Sequence, residues 1–205
     1  KEFGYFSRNL HLIGNGIGMA QMQHLLALSF TDQSEALIRS CSEMNFHLRP
    51  LFGKEDEFTG AFYILIAANS FANPLLQAEE LLELSRILEN HELNCRNKIK
   101  SDEFLRSKII DIVGRATGIL RGMHLLDVNE AKFVLSALWL GIEFDMLPWL
   151  SYEQIFQKLT ELLTDSFFLL EKTLSKNEQL KMRIEWAEAF KRDLLPTDFE
   201  EIKTD

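Results

Sequence analysis

The sequence predicts an all-α fold, a single-domain antiparallel helical bundle of about seven or eight helices over residues 1–205. Three observations predict it. Apolar residues recur every three to four positions behind helix-capping signals, the spacing that lines one face of a helix. No stretch alternates apolar and polar residues long enough to read as a half-buried strand, so few or no strands are expected. Proline stands between the periodic segments, at Pro50, Pro74, Pro148 and Pro196, and the connections are short, as an antiparallel bundle requires.

Residues 1–30 are apolar, but Gly14, Gly16 and Gly18 interrupt them and no clear element emerges. Asp32-Gln33-Ser34-Glu35 is a capping-box variant that opens a helix toward Phe46, ended by Pro50. Residues 51–57 read as a loop, and a second apolar helix is expected over 57–71. Asn73 then caps and Pro74 occupies the first position of a helix over 74–95. Ser101 is the expected cap of the next helix, with Asp102 and Glu103 placed for its dipole. Its stripe is Leu105, Ile109, Ile112, Ala116, Ile119 and Met123. Asp127 caps a helix that runs toward Pro148. Ser151 opens another, striped by Ile155, Leu159, Leu162, Ser166, Leu170 and Leu174. The last helix is expected to start at Asn177 and stop before Pro196, leaving 197–205 as a polar tail.

Within the Ser101 helix, Gly114, Gly118 and Gly122 fall four apart and therefore on one face. Each glycine forgoes roughly 1 kcal/mol of helix stability relative to alanine. Close helix packing against another backbone is the expected compensation, either from this chain or from a partner.

Hydrophobic residues make up 46% of the chain, enough for a substantial core. The net charge of −9 disfavours nonspecific contact with nucleic acid or an anionic membrane. It suits basic or amphipathic protein partners. Cys41 and Cys95 lack Cys-x-x-Cys spacing and read as buried thiols of a reducing compartment. With no secretory pattern and no apolar run near membrane-spanning length, a cytoplasmic location without membrane insertion is expected.

No catalytic, metal or cofactor site stands out. Gly14-Asn15-Gly16-Ile17-Gly18 lacks the dinucleotide spacing and the lysine of a phosphate loop. His91 and Cys95 lie four apart, but two candidate ligands do not complete a zinc site. The Glu-x-x-His pairs of di-iron bundles are missing. Cys41 lies near Glu43 and His47 in sequence, which does not supply catalytic geometry. The acidic residues Glu55, Asp56, Glu57, Glu79, Glu80 and Glu83 read as solvated faces, or as ground for a basic partner peptide. Apolar groups at helix ends, Leu51, Phe52, Trp149 and Leu150, are the candidate partner-binding residues.

Ile112-Val113-Gly114, followed by Gly122-Met123-His124-Leu125-Leu126-Asp127, resembles a stretch of the IcmW-type adaptors of the Dot/Icm type IV secretion system. The match needs a one-residue slip at the second glycine group and covers a small part of the chain. In length, acidity and helical character the chain is similar to the larger LvgA-type adaptor subunits. The resemblance implies a non-enzymatic cytoplasmic adaptor or chaperone, with no cofactor. Its partners would be a coupling-protein segment, other adaptor subunits and effector proteins. The alternatives are a ligand-binding or enzymatic helical bundle with a central cavity, and an effector-sensing domain of a larger regulator.

Overall fold

The computed structural model describes residues 17–31, 33–51, 61–68, 73–164 and 174–196. Among them the chain is mostly helical, with seven helices and one three-stranded antiparallel sheet. The all-α expectation is thereby corrected to a helical fold with a small sheet. Two compact units are present, Lys1–Ile99 and Lys100–Asp205.

In the first unit, β1 (Ala20–His24), β2 (Phe46–Pro50) and β3 (Phe62–Ala67) take the order β1-β3-β2. Met22 pairs with Ile64, and Leu48 with Leu65. The strand β3 replaces the helix expected over 57–71. Phe62-Tyr63-Ile64-Leu65-Ile66 is rich in β-branched and aromatic side chains, which suit a pleated surface. An apolar run this short does not declare its period. In β2, Phe46 and Leu48 are buried while His47 and Arg49 are exposed, an alternation too short to stand out beside the helical signal. Ahead of it, Asn45 adopts a φ of 63° and turns the chain out of α2 (Ser34–Glu43). Asparagine tolerates this left-handed conformation better than most residues, and the helix ends short of Phe46.

The five-residue α1 (Leu26–Phe30) carries the buried Leu26, Ala27 and Leu28. The long helix α3 (Pro74–Ser101) starts at Pro74 as expected, and Asn73 Oδ1 accepts from the Leu75 N–H at 3.0 Å. Its buried row runs Gln77, Leu81, Leu84, Leu88, Glu92, Cys95, Ile99. This row passes through Glu92 and leaves His91 exposed.

The second unit contains α4 (Glu103–Gly122), α5 (Val128–Glu143), α6 (Tyr152–Thr164) and α7 (Lys176–Leu194). Helix α5 packs on α4 and α6, and α7 touches both α4 and α6. Its residues Ala131, Val134, Leu135, Ala137, Leu138 and Leu140 are buried, as expected of the helix at the centre of a bundle. Asp102, not Ser101, caps α4 by accepting from the Phe104 and Leu105 N–H groups; Ser101 is the last residue of α3. Asp127 caps α5 through the Asn129 N–H at 2.7 Å. Ser151 and Gln154 exchange bonds at the start of α6. The capping box of α7 is Ser175 with Glu178, so that helix begins before Asn177. No helix among the described residues is long and apolar enough to cross a membrane.

The glycine row lies open. A methyl group at Gly114, Gly118 or Gly122 would meet nothing within 4 Å among the described residues. Among the described residues, no part of this chain packs closely on those glycines. Helix α4 buries the neighbouring face instead, with Ile109, Val113, Ala116, Thr117 and Leu120. Gly118→Ala is expected to stabilise the protein by about 1 kcal/mol, read as a higher urea midpoint. A lower midpoint would show that a backbone does sit on the row.

Candidate functional site

Glu80 and Glu83 lie one turn apart on α3 and project from its outer face, both exposed. Opposite them, the α2–β2 turn presents Met44 and Asn45, while Phe46 and Leu84 are buried beneath. These residues, with Gln77 and Ile87, line a groove of about 540 Å³, within the range of sites that hold small ligands or side chains. One wall is apolar and the other carries two carboxylates. Neither carboxylate makes an ion pair or a hydrogen bond with a described residue. Like charges three apart on a helix repel one another by a few tenths of a kcal/mol, a cost that a bound cation removes. Sequence reading had assigned Glu80 and Glu83 to a solvated face or a basic partner. The groove's other wall was hidden because it comes from the turn at Asn45.

A second polar cluster joins α6 to α7. Lys158, nearly buried, donates to Asp193 Oδ2 at 2.6 Å and to Glu161 Oε2 at 2.7 Å, and sits 5.8 Å from the Phe190 ring centroid. Gln154 Nε2 donates to the Asp193 carbonyl at 3.0 Å, and Arg192 Nε to Asp193 Oδ1 at 2.8 Å. Burial lowers the Lys158 pKa, but the hydrogen bonds to Asp193 and Glu161 outweigh it and the net direction is upward. Arg192, then Lys158, hold the Asp193 carboxyl below its ordinary value. With every charge matched, the cluster is a clamp between helices rather than a reactive centre.

The clamp makes stability depend on pH at both extremes. The Asp193 contribution is present above the ordinary aspartate value of 3.8 and is lost as pH falls through the depressed one. The Lys158 contribution is present below 10.5 and is lost as pH rises through the raised value. Trp139, Trp149 and Trp186 all belong to the second unit, so intrinsic fluorescence reports on it. The Asp193→Asn variant is expected to show a flatter acid limb than the wild type. Superimposable acid limbs would remove Asp193 from the clamp.

The sequence-chosen residues belong to both units. Leu51 is half-buried, and its N–H donates to the Phe62 carbonyl at 2.8 Å, extending the β2–β3 ladder. Phe52 lies outside the described residues. In the second unit Trp149 is half-buried and Leu150 is 6% exposed. Glu55, Asp56 and Glu57 also fall outside the described residues. Cys41 is buried, which pushes its thiol pKa up, while Glu43 and His47 are exposed; that is an inert core cysteine. Among the described residues no group of three His, Cys, Asp or Glu is placed to hold a metal ion.

Similarity to known proteins gives the site its context. Residues 106–194 match the family model of the protein-arginine kinase McsB C-terminal domain. That match begins in α4 and ends with α7, so it takes in most of the second unit. The protein-arginine kinase of Syntrophomonas wolfei is 29% identical over 153 residues, 72% of this chain and 41% of that protein. That of Symbiobacterium thermophilum is 28% identical over 160 residues, 74% of this chain and 43% of that protein. That of Clostridium perfringens is 22% identical over 194 residues, 94% of this chain and 56% of that protein. The chain spans about half the length of the curated relatives it matches.

These similarities overturn the Dot/Icm reading, and with it the non-enzymatic adaptor, the chaperone role and the link to secretion and virulence. The stretch from Ile112 to Asp127 that carried the resemblance lies wholly inside the McsB match. It consists of helix-forming aliphatics, open glycines and a helix cap, which many helical proteins share. The enzyme among the alternatives agrees better with the relatives.

Proposed function

We propose that this chain acts in a protein-arginine kinase of the McsB kind, with residues 106–194 as its C-terminal helical domain. The observation that carries the reading is the extent of the similarity. The family model covers α4 to α7, and relatives named protein-arginine kinase align over most of the chain, the first unit included. The substrate class is then a protein that presents an arginine. In such a reaction a guanidinium nitrogen bonds to the terminal phosphorus of a nucleoside triphosphate. The bond to the departing nucleoside diphosphate oxygen breaks, and the nitrogen gives up a proton.

Kinases hold the nucleotide with divalent cations and basic groups. Among the described residues no group of three His, Cys, Asp or Glu is placed to hold such a cation. What they supply in this proposal is the clamped helical body. Two buried cysteines without a disulfide agree with a cytoplasmic setting. The net charge of −9 continues to favour protein over nucleic acid as the partner.

The test incubates the protein with nucleoside triphosphate labelled at its terminal phosphate, magnesium and an arginine-rich protein. Acid-labile label located on arginine by mass spectrometry is the expected result. Label on serine, threonine or tyrosine, or no transfer from the protein expressed from its complete reading frame, would refute the proposal.

A further inference from the structure

No further inference is drawn: the strongest candidate, the exposed apolar face of α6 that carries Phe156 and Leu163, is a helix surface for which nothing in the structure shows what covers it.

Discussion

Glu92→Ala is expected to destabilise the first unit by about 3–5 kcal/mol, the range for removing one partner of a buried ion pair. Glu92 is 3% exposed, deep on the inner face of α3. Its Oε1 accepts from Arg96 Nε at 2.8 Å and from the Ala27 N–H at 3.0 Å, and its Oε2 accepts from the Leu28 N–H at 2.9 Å. Those two amides belong to the first turn of α1, where helix N–H groups have no partner of their own. One carboxylate therefore caps a helix some 65 residues earlier in sequence and neutralises a buried guanidinium. Alanine removes both functions at once and leaves Arg96, 7% exposed, without that counter-charge. Calorimetric unfolding and hydrogen exchange at Ala27 and Leu28 measure the effect. Glu92→Gln keeps an acceptor for an amide but not the charge, and should fall between the two. An alanine variant within about 0.5 kcal/mol of wild type, the scatter of neutral surface changes, would show that α1 is held by packing alone.

The same residue shows where the sequence was legible and where it was not. Caps and stripes are local signals: they located Pro74, Asp127, Ser151 and the buried Ile155, Leu159 and Leu162 of α6. Of the stripe expected on α4 only Ile109, Ala116 and Met123 are buried, and Ser166 and Leu170 lie outside the described residues. Glu92 is a nonlocal solution. Its neighbours in the stripe are Leu88 and Cys95, and nothing near it in sequence announces that the start of α1 needs an acceptor. The three strands were missed for a related reason. Strand pairing joins Met22 to Ile64 and Leu48 to Leu65, separations over which no periodicity can be read. The groove was half legible. Glu80 and Glu83 were noted as ground for a basic partner, but its opposite wall exists only because Asn45 turns the chain back.

Gly141→Val is expected to destabilise the second unit by about 2–3 kcal/mol through overpacking, the opposite of the gain expected for Gly118→Ala. The three glycines on α4 suggest a bare ridge under a neighbouring backbone, and among the described residues a Cβ at any of them meets nothing within 4 Å. The single glycine inside α5 is the one that permits close approach. A Cβ at Gly141 would stand 2.6 Å from Leu147 Cδ1 and 3.0 Å from both Leu147 Cγ and Val113 Cγ1. Leu147 lies in the turn that follows α5 and is 2% exposed; Val113 lies on α4 and is fully buried. Interiors are packed as densely as organic crystals, so neither side chain can yield without displacing others. The Gly141 amide group matters too, because its carbonyl accepts from the Met146 N–H at 2.9 Å and ties the turn to the helix. Valine adds two branches where one methyl group is already too many. Fluorescence of Trp139, two residues away on the same helix, follows the transition directly. If Gly141→Val unfolds at the wild-type urea midpoint, Val113 and Leu147 yield to the added side chain and the α4–α5 contact is not tight. If Gly118→Ala is the variant that loses stability, the glycine row does carry a packed partner after all.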